Sequence, residues 1–174
     1  MLRRLAGGAA LVLAAITLSG CTQPMPEVSE PAPTTTSTSQ PPPTTEQAQS
    51  TFEAFYAAVD AQFAAGVASA DALSEHATSD LAERWAGFIR EDLAAGQVSR
   101  GVLEVTAIEA EEVVVDGIRV RLCTDGRNIV TTDPQGLRIP PSGLVAWSAE
   151  FEDSDSGLLL ANLQPLQDQS ICGL

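Results

Sequence analysis

The sequence predicts an α+β domain in which N-terminal helices pack on one face of a curved antiparallel sheet, and three features point there. Between Thr44 and Gly96, apolar side chains recur at three- and four-residue spacing, the period of an amphipathic helix. After Gly96 the period shortens to two, as in half-buried strands. Asp116-Gly117 then stands between β-branched runs, a strong signal for a tight hairpin. Helices followed by a meander bury their apolar faces most simply against each other, as one two-layer domain over residues 46–174.

The first helix opens at Thr44-x-x-Gln47, a capping-box pattern, and carries Phe52, Phe55, Tyr56, Val59 and Phe63 to about Ala65, where Gly66 stops it. A short helical turn follows over Ser69 to His76. Asp80-x-x-Glu83 begins another helix, with Leu81, Trp85, Phe88, Ile89 and Leu93 on one face and Gly96 closing it. These aromatics sit where a core-facing stripe needs them, and the sequence predicts core rather than a cofactor box.

The first strand is expected over Val102 to Ile108, with Val113 to Val115 either extending it or beginning another. Ile118-Arg119-Val120-Arg121-Leu122 alternates cleanly after the hairpin. Asn128 to Thr132 reads as a further short strand, and Asp133-Pro134-Gln135-Gly136 as a turn. Val145, Trp147, Ala149 and Phe151 share one face of the next strand, with Ser148, Glu150 and Glu152 on the other. Ser154 to Gly157 turn the chain into a last strand over Leu158 to Leu163.

Ahead of the domain, Arg3 and Arg4 precede an apolar run from Leu5 to Leu18 that is short for a membrane span. Leu18-Ser19-Gly20-Cys21 closes this run and resembles the bacterial lipobox. That resemblance implies a signal peptide over residues 1–20, cleavage before Cys21, a diacylglyceryl thioether on its sulfur and, as is usual, an acylated new N-terminus. An ordinary secretory signal or an uncleaved anchor helix is the other reading. Two or three acyl chains suffice for stable anchoring where one is reversible. The expected location is the extracytoplasmic face of the cell membrane, with the membrane as a partner through the lipid on Cys21.

Residues 21–45 are rich in Pro, Thr, Ser and Gln and poor in apolar side chains, the composition of a disordered tether that favours polyproline II. The formal charge is −14. All nine basic residues are arginines, and loss of Arg3 and Arg4 with the leader leaves seven against 23 carboxylates, or −16. Such a surface repels phosphate backbones, so nucleic acid is not an expected partner.

The helix-then-meander order, together with Leu122-Cys123-Thr124-Asp125, the Asp133–Gly136 turn, Trp147 in a strand and a cysteine late in the chain, resembles the NTF2-like (cystatin-like, SnoaL-like) cone. It resembles more narrowly the small secreted actinobacterial lipoproteins built on that cone. The likeness covers about residues 48–174. It implies a pocket between helix and sheet, and in some members hydratase, isomerase or cyclase chemistry on Asp–His or Asp–Arg pairs. A strand beside or between the opening helices, usual in the family, is not evident.

With Cys21 lipidated, Cys123 and Cys172 remain as an even pair in an oxidising compartment, which predicts a disulfide; a redox-active pair would favour Cys-x-x-Cys spacing. Two cysteines and one distant histidine make too few ligands for a metal, and no cofactor is expected. The lone histidine, His76, stands four residues before Asp80, a spacing that permits contact on one helix, but Ala77-Thr78 is expected to break that helix. Arg119 and Arg121 either greet an anionic ligand or pair with Glu104, Glu111, Glu112 or Glu150 across strands. Asp153-Ser154-Asp155-Ser156-Gly157 fails as a calcium loop because its glycine comes one position early and Gln164 stands at the bidentate Glu position. The function expected from these residues is a non-catalytic envelope lipoprotein that binds a partner protein, a wall component or a small apolar ligand. A pocket enzyme of hydratase or isomerase type is the alternative.

Overall fold

The computed structural model describes residues 41–114 and 116–174. The leader, the lipidation motif at Cys21 and nearly all of the expected tether lie outside the described residues. Three helices come first: α1 (Thr45–Ala65), α2 (Ala70–Leu73) and α3 (Ser79–Ala94). Seven strands follow: β1 (Val98–Arg100), β2 (Glu104–Val114), β3 (Gly117–Asp125), β4 (Val130–Thr132), β5 (Arg138–Ile139), β6 (Leu144–Ser154) and β7 (Gly157–Pro165). A 3-10 turn over Ser170–Cys172 ends the fold. Strands β2-β3-β6-β7 form one antiparallel sheet in that order, and β1-β4-β5 form a second, smaller one. The architecture is α+β, helices on one face of an antiparallel sheet, and the two sheets do not close into a barrel.

The capping box is formed as the sequence predicts. Thr44 Oγ1 accepts from the Gln47 amide at 3.3 Å, and Gln47 Oε1 accepts from the Thr44 amide at 2.9 Å. Pro43 and Ala48, at the two positions that staple a helix entry, are both buried, so the packed fold includes residues upstream of the expected boundary at residue 46. At the other end Gly66 adopts φ +69°, and the Val67 and Gly66 amides donate to the Gln62 and Phe63 carbonyls, a Schellman closure. The same closure ends α3, where Gln97 and Gly96 donate to Asp92 and Leu93.

Ala48, Phe52, Phe55 and Val59 of α1 are buried against Leu81, Ala82, Ala86 and Ile89 of α3 and Ile118, Val120, Leu122, Ala149, Phe151 and Leu160 of the large sheet. One expected core position differs. Phe88 is 52% exposed, and the buried positions of α3 include Ala82 and Ala86 instead, small side chains that let the helix sit close to its neighbours. On β6, Ala149 and Phe151 join the core and Trp147 lies partly buried against it, anchored by its indole N–H on Thr124 Oγ1 at 2.9 Å. Gln62, buried in the α1 stripe, is held at both ends: it accepts from the Ser69 amide at 2.7 Å and donates to the Ser69 carbonyl at 3.0 Å. This closes the α1–α2 connection without stranding a polar group.

Strand β2 starts at Glu104 rather than Val102 and runs unbroken to Val114, so the apolar pair after Glu112 extends it. The Asp116-Gly117 hairpin follows, with Val114 opposite Gly117. Register shifts mark irregularities in β2 at Val105/Ala107 and Ala110/Glu112, where twist increases locally. The expected strand at Asn128 shortens to β4, because Ile129 turns back to donate to the Gly126 carbonyl. Among the described residues, no helix is long and apolar enough to cross a membrane.

Candidate functional site

Helix α1 has a second face beside its core stripe. Glu53, Tyr56, Ala57 and Asp60 recur at helical spacing and turn toward the segment Gly101–Val105 that leads from β1 into β2. Between them lies a cleft of about 480 Å³. A smaller groove of about 180 Å³ continues from it, sharing Tyr56, Asp60, Gly101 and Leu103 and adding Val59, Phe63, Trp85, Asp92 and Ile129.

Two contacts set the shape of this cleft. The Gly101 amide donates to Asp60 Oδ1 at 3.1 Å, tying the β1–β2 connection to α1. Gly101 itself adopts φ +137°, with its α-carbon so close to the 128–129 backbone that an added methyl would stand 2.4 Å from the Asn128 carbonyl oxygen. Only glycine fits there without displacement.

The aromatic wall is continuous. The Tyr56 ring lies 4.8 Å from Phe52, and edge-on to Phe55 at 5.7 Å and to Trp85 at 5.5 Å. Trp85 in turn meets Phe88 edge-on at 6.2 Å, which carries the aromatic surface out to solvent. Burial raises the pKa of the Tyr56 hydroxyl well above its ordinary value, so it stays a neutral donor. Burial also raises that of Asp92 in the groove, with its neighbour Glu91 adding to the effect.

The residues singled out from sequence fall elsewhere. Cys123 and Cys172 form a disulfide, with α-carbons 5.2 Å apart, on the sheet face away from the helices. The bond fastens the 3-10 turn to β3. Arg121 assists by pairing with Asp168 at 3.0 Å, and Gln169 by accepting from the Ala146 amide at 2.8 Å. Arg119 pairs with Glu112 and Glu150, both at 2.9 Å, so the cross-strand reading holds for it; Arg121 finds its acid on the tail rather than on a strand.

His76 follows α2, where its carbonyl accepts from the Leu160 amide at 2.9 Å as the chain bridges to β7. Asp80 is exposed in the first turn of α3. Neither lines the cleft. The Asp153–Gly157 segment is the β6–β7 hairpin, with Ser154 Oγ donating to the Gly157 carbonyl at 2.6 Å. No group of three or more potential metal ligands gathers among the described residues. Tyr56, Asp60, Asp92 and Gly101 are the site residues that sequence reasoning passed over. The recurrence of Tyr56 and Asp60 four apart on the flank of the α1 stripe was the available signal.

No protein family and no curated protein matches this chain. Among solved structures the chain is similar to the intermembrane space region of the chloroplast protein ARC6, with a TM-score of 0.47 and 13% identity, covering 69% of this chain and 97% of that one.

Proposed function

We propose that the chain is a lipid-anchored, extracytoplasmic binding module with an NTF2-like domain, which holds a partner protein, a wall component or a small apolar ligand and performs no chemistry on it. The observation that carries the reading is the cleft between α1 and the Gly101–Val105 segment. Its size lies in the range of ligand sites, Tyr56, Ala57, Val102, Leu103 and Val105 line it beside three carboxylates, and Trp85 of the adjoining groove meets the exposed ring of Phe88. His76 and Asp80, the pair a hydratase would draw on, stand apart from it. Support for the anchor comes from the Leu18-Ser19-Gly20-Cys21 motif and from the disulfide, a bond that persists in oxidising compartments. The order of helices before a meander, with the cleft between helix and sheet, supports the NTF2-like assignment.

One observation favours a second reading. Asp92 reaches the groove with a raised proton affinity, as a carboxylic acid used in acid–base catalysis would. Native mass spectrometry of the detergent-extracted protein separates the two. A mature chain starting at a diacylglyceryl or triacyl Cys21 and carrying an unaltered bound molecule is expected. A chain still bearing residues 1–20, or one without lipid, removes the anchor. Turnover of the extracted molecule that is lost in Asp92→Asn replaces the binding reading with the catalytic one.

A further inference from the structure

We infer that the occupant of the α1–β2 cleft is a basic, apolar-flanked peptide segment of a partner protein, seated with an arginine or lysine head at the cleft and its stem and neighbours along the aromatic groove. The inference rests on the binding reading above and adds the chemistry of what is bound.

The groove supplies the docking surface. Tyr56, Leu103 and Trp85 line it, and Val102 at the cleft and Phe88 beside Trp85 are 69% and 52% exposed, a large apolar area for a soluble face to leave open. Charge complementarity selects the occupant. Every lining residue of the cleft that carries charge near neutral pH is a carboxylate: Glu53, Asp60 and Glu104. Each is oriented by a neutral donor, and among the described residues none of the three forms an ion pair. Gln49 Nε2 donates to Glu53 Oε1 at 2.8 Å, the Gly101 amide to Asp60 Oδ1 at 3.1 Å, and Asn128 Nδ2 to Glu104 Oε1 at 3.2 Å. The second oxygen of each therefore stays open to another donor. Arg127 bears electrostatically on Glu104 but is committed to Asp125 through several hydrogen bonds.

A guanidinium or ammonium answers this arrangement in two ways at once. Its head supplies several N–H donors to carboxylate oxygens, and its methylene stem and delocalised charge lie favourably against aromatic rings. A second copy of the same chain is disfavoured as occupant, because two molecules at −14 or below repel. The same charge steers a cationic partner inward and makes its association sensitive to salt.

The test uses the full chain in detergent micelles, with empty micelles as blank, and three dye-labelled eight-residue peptides alternating leucine with arginine, glutamine or glutamate, read by anisotropy. The arginine peptide is expected to bind at least tenfold tighter than the glutamine peptide, and the glutamate peptide not at all. The double variant Glu53→Gln, Glu104→Gln keeps the orienting hydrogen bonds and is expected to weaken the arginine peptide tenfold or more. A control with Glu109→Gln and Glu111→Gln, exposed on β2 and absent from the cleft lining, should leave binding within twofold. Equal losses in the two double variants would mean that bulk charge alone attracts the peptide, and the inference falls. Equal binding of the arginine and glutamine peptides, abolished by Leu103→Glu, sinks the cation preference while leaving the binding module intact. Absence of binding by all three peptides, with no molecule retained on extraction, brings down both.

Discussion

Gly101 shows how one backbone position governs the cleft. With φ +137° and the Asn128 carbonyl pressed against its α-carbon, it can donate to Asp60 only because it lacks a side chain. Gly101→Ala is expected to cost about 2–3 kcal/mol, whereas Gly66→Ala, also left-handed but facing open space, should cost about 1 kcal/mol. Urea unfolding of both variants checks the difference. A second residue-scale outcome concerns Asp125. Its bond from the Arg127 side chain, helped by the Arg127 amide, lowers its pKa to about 2. A carboxyl that releases its proton more readily when folded contributes stability above the ordinary carboxylate pKa, near pH 4, and loses it as pH falls toward 2. Asp168, lowered by its hydrogen bonds from Ser170, acts in the same direction. Urea midpoints measured from pH 5 to pH 2 should therefore fall more steeply in the wild type than in Asp125→Asn.

At the scale of elements, both ends of α1 and the close of α3 were legible, because capping is local chemistry. Thr44, Gln47, Gly66 and Gly96 act where their neighbours alone place them. Helix α3 instead opens at Ser79 behind Thr78 with no side-chain cap rather than at Asp80, and α2 ends at Leu73 rather than His76. Thr44→Ala should lower stability by about 1 kcal/mol, seen as a drop in melting temperature. The long strands were equally readable from the Asp116-Gly117 hairpin and the alternation after it. Strands β1 and β5 were not, since three and two residues carry no period and exist only by pairing with β4. Phe88 misled for a related reason: spacing identifies a face of α3, but only tertiary packing decides which part of that face is covered. The cleft was hidden because its two walls lie about 40 residues apart in sequence and meet through the Asp60–Gly101 contact. The disulfide, by contrast, followed from cysteine parity. Breaking it in Cys123→Ser, Cys172→Ser should cost up to about 4 kcal/mol for a separation of 49 residues, and a reductant should lower the wild-type melting temperature but not the variant's.

For the whole molecule, charge and address act together. A chain with 23 carboxylates and no lysine offers a primary amine only at its N-terminus. Removal of the proposed leader and acylation of the new terminus would leave none, so an amine-reactive ester should fail to label the mature protein. One label per chain would instead indicate a free N-terminal amine, as in the diacyl form or in a chain that keeps residues 1–20. In a detergent phase-separation assay the wild type is expected in the detergent phase and Cys21→Ala in the aqueous phase.

The Cys123–Cys172 bond also constrains the order of events during biogenesis. Cys123 must wait, as a free thiol, until synthesis has passed a residue 49 positions downstream. Oxidation can therefore follow only after strands β4 to β7 have also been synthesised. Three cysteines allow three pairings, two of them wrong. If Cys21 carries the proposed thioether before oxidation, the competing thiol is gone and a single pairing is left.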